Sequence, residues 1–172
     1  MSAFFRGGLL MIGDFRGSGT GFCAIFGPKP SELEFGYDEE HIQCAHMKLK
    51  LVNAICDTAI SGCKNFASTI DQGASMWGAE ACLALRECGV NISYIAVPRS
   101  EYQSNRWHPE RRERYFSLLE RADYVADCGE MGADEYIICN ASRALVLGES
   151  TSGRLKRVVE NLGVAGIPTR LL

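Results

Sequence analysis

Nowhere in the 172 residues is there a run of the roughly 20 apolar positions that a membrane-crossing helix requires. The opening FFRGGLLMIG has too short an apolar run, with too little flanking charge, for an export signal, so cytoplasmic residence is expected. Excess charge of one sign is also missing. Eighteen Lys and Arg against 21 Asp and Glu leave a net charge of -3, which gives no global field for holding a nucleic-acid backbone. Neither GxGxxG nor GxxxxGK[ST] occurs, which excludes the familiar dehydrogenase fingerprint and the P-loop. No two cysteines stand at CxxC spacing.

What is present is an average soluble composition, 47% hydrophobic and 23% charged, in a chain long enough for one domain with a full core. The eight cysteines are Cys23, Cys44, Cys56, Cys63, Cys82, Cys88, Cys128 and Cys139. Several fall at apolar positions of predicted elements, where a free thiol behaves as a small hydrophobe, so reduced core thiols are expected. His41 and Cys44 share a helix face, but His46 points away from it, and neither a metal nor a cofactor is expected.

The pattern alternates strand and helix. FCAIF at 22–26 predicts a buried strand, stopped by Gly27-Pro-Lys-Pro30. Asp38 reads as the N-cap of a long helix whose apolar positions are Ile42, Ala45, Leu49, Val52, Ile55, Ala59 and Ile60, ending near Gly62. A short strand at Phe66–Ser68 and an Ala-rich helix over 73–88 come next, then a strand over 91–97 stopped by Pro98. Pro109 opens a helix with Tyr115, Leu118, Leu119 and Ala122 on its apolar face, and Glu110 and Arg114 at the i, i+4 spacing of a supporting pair. Strands are predicted at 124–126, 144–147 and 167–172, with a helix over 155–162. The segment through Cys139 gives no clear signal. This order predicts an α/β, Rossmann-like three-layer fold with a mostly parallel sheet over residues 21–172. Residues 1–20 form an N-terminal extension without a clear period, read as an added strand or oligomer contact.

In such a sheet, ligands bind outside the carboxyl ends of the strands. Ser150, Thr151, Ser152, Gly153 and Arg154 place hydroxyls, a glycine and a cation at a helix start, suited either to an anion or to simple capping. Ser68, Thr69, Gln72 and Gly73 form a second polar helix start, with Gly27 and Lys29 in the first loop, and together these outline a crevice for phosphate or ribose. Trp107 either stacks a base or staples the following helix; Gln103 lies in the same loop. Glu80 is either a surface charge or a carboxylate facing the crevice.

CAIFGPKP, KNFASTIDQGASMWGAEACLAL and YIAVPRSEYQSNRWHPERRERYFSLLERADYV together resemble the YpsA-like branch of the SLOG superfamily, related to the DprA and LOG proteins. Gly27, Lys29 and Pro30 match that branch's Thr-Gly-His-Arg-Pro loop, with Lys29 for Arg and Pro28 for His. Ser68, Gly73, Trp77, Ala79 and Glu80 match Ser-Gly-x-Ala-x-Gly-x-Asp-x-Trp-Ala-Ala-Glu, with Thr69 for a Gly and Ser75 for the Asp. Pro98, Gln103, Trp107, Arg114, Tyr115 and Asp123 match further landmarks, while an Arg-Asn element survives only as Cys139-Asn140 and a Gly-Gly-Thr loop has become Ser152-Gly153-Arg154. The departures touch the crevice and spare the scaffold, which points to a changed ligand.

The resemblance implies a nucleotide-ligand fold, often oligomeric, found among sensors of signals such as ADP-ribose forms or cyclic nucleotides and recurring in phage defence. The leading expectation is a homo-oligomeric sensor or sequestering protein for a nucleotide-derived ligand. An alternative is a LOG-like N-glycosidic hydrolase using Glu80 to stabilise or attack the ribosyl centre, although the LOG motif Pro-Gly-Gly-x-Gly-Thr-x-x-Glu is absent. A third is single-stranded DNA binding through Lys64, Arg106, Arg111, Arg112 and Arg114, disfavoured because glutamates interleave with these cations.

Overall fold

The structure, a computed structural model, describes residues 21–149 and 153–172, so the reading of residues 1–20 and the hydroxyls of Ser150, Thr151 and Ser152 lie outside it. Six parallel strands form one sheet: β1 (Phe22–Phe26), β2 (Asn65–Ser68), β3 (Ser93–Ala96), β4 (Tyr124–Val125), β5 (Ala141–Val146) and β6 (Thr169–Leu171), in the order β4-β3-β2-β1-β5-β6. The helices are α1 (Ile42–Ile60), α2 (Ala74–Glu87), α3 (Pro109–Arg121), α4 (Ala133–Asn140) and α5 (Gly153–Val164), with a 3-10 turn at Pro30–Glu32. This is a three-layer Rossmann-like architecture. Among the described residues, no helix is long and apolar enough to cross a membrane.

Every residue of β1 is buried because the strand is central and covered on both faces. Cys23 and Ile25 join the cluster under α1, α2 and α3, and Phe22, Ala24 and Phe26 the cluster under α4 and α5. The middle helix, α2, is sandwiched so closely that Gly78 has no room for a side chain: an added Cβ would stand 2.8 Å from Ile25 Cγ2. Small residues at Ala74, Ser75, Ala79 and Ala81 serve the same approach. Four cysteines, Cys23, Cys44, Cys63 and Cys82, are buried free thiols, and burial pushes the Cys23, Cys44 and Cys82 thiols up.

Two local readings are corrected. α1 starts at Ile42, not beside Asp38; His41 is the N-cap, its Nδ1 accepting from the Gln43 amide at 3.2 Å, while Asp38 Oδ1 caps a preceding turn through Glu40. The core-facing side of α1 is also rotated, carrying Cys44, Leu51, Ala54, Ile55 and Thr58, whereas Ile42, Leu49 and Ile60 face outward. The segment without a clear signal contains α4.

Strand connections run one way from β1 to β4, then cross back to β5. The sheet therefore has its topological switch between β1 and β5, and sheets of this kind place a ligand crevice at the carboxyl ends of the strands there.

Candidate functional site

The turn from β2 to α2 builds one wall of this crevice. Ser68 is wholly buried, its Oγ donating to the Ser75 carbonyl at 2.8 Å and sharing a 2.7 Å hydrogen bond with the Tyr94 hydroxyl. Thr69, also buried, donates from Oγ1 toward Asp71 Oδ2 and Ser75 Oγ. Next comes Ile70 at φ 53, a buried β-branched residue in the left-handed region, a conformation that costs on the order of 1–3 kcal/mol and concentrates at functional sites. Gly73 follows at φ +93, where an added Cβ would lie 2.6 Å from the Pro28 carbonyl oxygen. That oxygen accepts the Ala74 amide at 3.1 Å, so the Gly27–Pro30 loop occupies the first amide of α2. Gly27 serves the same close packing, its missing Cβ leaving room for Ala74.

The strained turn directs Asp71 to a charged cluster. Asp71 Oδ2 accepts from Arg99 Nε at 2.5 Å, and its Oδ1 accepts from Gln103 Nε2 at 3.0 Å. Lys29 Nζ stands 3.8 Å from Asp71. Asp134, on the first turn of α4, accepts from Arg99 Nη2 at 3.0 and 3.2 Å and from Arg154 Nη1 at 3.0 and 3.1 Å. Arg154 Nη2 also reaches the Gly27 carbonyl at 2.9 Å. Three cations thus share two carboxylates. Burial on its own would lower the Arg99 pKa, but Asp71 and Asp134 outweigh it and raise the pKa, keeping the guanidinium charged. Arg154 Nε is buried and finds no acceptor among the described residues. Glu32 stands at the rim, its carboxylate taken by the Lys29 amide at 2.7 Å.

Of the residues the sequence singled out, Gly27, Lys29, Ser68, Thr69, Gly73, Gln103 and Arg154 converge here, and Gly153 opens α5 beside them at φ +67. Gln103 acts as a clamp, accepting from the Arg99 amide at 2.6 Å and donating to the Thr69 carbonyl at 3.1 Å. Gln72 turns to a neighbouring cleft, with its Oε1 buried and without a partner among the described residues. Trp107 packs edge-on against Tyr115, ring centroids 5.4 Å apart, which is the stapling arrangement for α3. Asn140 is not in the crevice: it ends α4 immediately before β5 begins, at the amino end of that strand and so at the opposite end of the sheet's strands. Sequence reasoning missed Asp71 and Asp134. Asp71 had a signal, since the Ser-Gly-x-Ala-x-Gly pattern carries alanine there.

Glu80 lies in a second network. Arg114 donates from Nε to Glu80 Oε1 and from Nη2 to Oε2 at 2.7 Å, and holds Glu39 through Nη1 at 2.7 Å and Nη2 at 3.1 Å. Lys48 adds a 2.5 Å contact to Glu39 and sits 5.5 Å from the centre of the Trp77 ring. Arg114 therefore binds across helices, in place of the expected partner Glu110, and Glu80 has a fixed cation that the sequence could not name. Hydrogen bonds that Arg114 donates to Glu80 raise the Arg114 pKa, and Glu39 adds to this against the effect of burial. Burial would push Glu39 up, but Arg114 and Lys48 hold it down at about 2. Arg111 lies 3.9 Å from the Tyr37 ring centre, so neither it nor Arg114 is an idle cation for a DNA backbone.

The geometry defines a class: a Rossmann-like domain with a cluster of arginines and carboxylates at the carboxyl ends of its strands. The family model described as the YspA SLOG family matches residues 23–152, and the chain belongs to that family, the YpsA branch of SLOG proteins. No curated protein matches the sequence.

Proposed function

We propose that the crevice binds a phosphate-bearing nucleotide or nucleotide-derived signal and that the protein acts as a sensor or sequestering protein. The observation that carries this reading is Arg154: a partly exposed guanidinium beside Arg99, in the first turn of α5, whose buried Nε donor is unclaimed among the described residues. An unpaired buried donor costs about 1–3 kcal/mol, which an anionic oxygen of a ligand would recover. The ligand would compete with Asp134 for the two arginines, so binding would be an exchange of one anion for another. Glu80 is neutralised by Arg114 within the helix layer, which favours binding over hydrolysis, since a carboxylate so held is poorly placed to stabilise a ribosyl cation.

The test is mass spectrometry of small molecules released on denaturing the protein after incubation with nucleoside monophosphates, NAD, ADP-ribose and cyclic nucleotides. One unaltered nucleotide compound, recovered in about stoichiometric amount, is the expected result. Recovery of none, or free base with ribose phosphate beyond one equivalent, would contradict it.

A further inference from the structure

We propose that Asp71, together with Lys29, reads the sugar of the ligand by binding its vicinal ribose hydroxyls, so that the protein selects ribonucleotides over deoxyribonucleotides. The inference rests on the nucleotide-binding reading above and adds a sugar specificity to it.

The hydrogen bonds of Asp71 leave one place for a hydroxyl. A carboxylate offers about four acceptor positions, two on each oxygen. Oδ2 accepts from Arg99 Nε and from the Thr69 hydroxyl at 3.2 Å, which fills it. Oδ1 accepts from Gln103 Nε2 at 3.0 Å and from nothing else among the described residues. The side chain keeps 8% of its exposure, so it is not sealed from solvent. Its backbone is fixed in advance by the left-handed Ile70 before it and by the Met76 amide, which donates to the Asp71 carbonyl at 3.1 Å. A carboxylate so held needs little further ordering when a ligand arrives.

Lys29 supplies the complementary group. Its ammonium stands 3.8 Å from Asp71 Oδ2, beyond hydrogen-bond reach, and its side chain is 41% exposed. It can therefore turn a donor toward an incoming oxygen. A phosphate placed against Asp71 would be repelled by the carboxylate, and an amine by Arg99 and Lys29. A neutral group that both donates and accepts avoids both penalties, and two adjacent hydroxyls do so in pairs, one donating to Oδ1 while the other accepts from Lys29.

The spacing suits a ribose. Arg154 reaches the Gly27 carbonyl just past β1, and Asp71 follows β2, the neighbouring strand. A phosphate on Arg154 would thus lie about one to two strand spacings from Asp71, roughly 5–10 Å. That is the span between the phosphate of a nucleoside monophosphate and the hydroxyls of its own sugar.

Calorimetric titration of the full chain with AMP and with dAMP is the test. AMP should bind about tenfold or more tightly than dAMP, the effect of one hydrogen bond to a charged group. Asp71→Ala, with its fold checked by circular dichroism, should bring the two affinities close to equality. Lys29→Met, a change at a half-exposed side chain, should narrow the gap without threatening the fold and decides the matter if Asp71→Ala unfolds. Arg154→Ala should weaken both ligands alike and keep the gap. Equal affinities for AMP and dAMP in the native chain would overturn the sugar reading and leave the nucleotide site standing, whereas binding of neither would overturn both. A full gap that persists in folded Asp71→Ala, or in Lys29→Met, would overturn the assignment to these residues.

Discussion

Two arginine–carboxylate networks stand on either side of the Gly27–Tyr37 segment, and they differ in how completely they are satisfied. In the helix layer, Arg114 and Lys48 face Glu39 and Glu80, two cations against two carboxylates, and Arg114 makes paired hydrogen bonds to both acids. At the carboxyl ends of the strands, Lys29, Arg99 and Arg154 share Asp71 and Asp134, with one buried Arg154 donor left over and a strained Ile70 holding the turn. A closed network ties α1, α2 and α3 together. The network with an unclaimed donor is the one proposed to take an anion from outside.

Gly73 joins the two regions, so Gly73→Ala is expected to have the largest effect. Its positive φ and the nearby Pro28 carbonyl should cost about 3 kcal/mol in chemical denaturation and impair ligand binding as well. A variant as stable as the parent would show that the loop can move away from α2.

Arg114→Ala should lower stability by about 2 kcal/mol, less than for a fully buried pair because these side chains are about 30% exposed, and should leave nucleotide affinity unchanged. Arg154→Ala should do the reverse, weakening nucleotide binding by about tenfold or more with little change in the denaturation midpoint. Equal losses of stability and affinity in both variants would erase the distinction between the networks.

Acid should reach the helix layer through Glu39. Its carboxyl is held at about 2 when folded, below its unfolded range, so its contribution is full above that range and is lost as pH falls toward about 2. Glu39→Gln should flatten that part of the stability profile between about pH 5 and pH 2. The smallest expected effect belongs to Asp134→Asn. Removing the internal competitor for Arg99 and Arg154 should tighten nucleotide binding about threefold, measured by calorimetry, and weaker binding would mean that Asp134 positions the arginines more than it competes for them.

The strands and most helices were legible because their signals are local. FCAIF can only be a strand buried on both faces, and Pro109 and the glycines after α2 and α1 mark helix ends without reference to anything distant. The face of α1 was less legible, since a helix apolar on two sides gives a pattern that does not say which side meets the sheet. The site was read at the level of loops and missed at the level of charges. Asp71, Arg99 and Asp134 are brought together over separations of 28 and 35 residues, and no spacing rule reports such contacts. Arg114 shows the same limit, because its sequence neighbour Glu110 suggested a pairing that two more distant acids supply.

The most direct test of the central claim follows the arginine Nε–H signals of the protein by proton–nitrogen correlation spectroscopy while AMP and then ADP-ribose are added. The account predicts that the Arg154 and Arg99 signals shift with saturation, while the Arg114 signal stays in place. Movement of Arg114 alone, or no movement of Arg154 at saturating nucleotide, would contradict it.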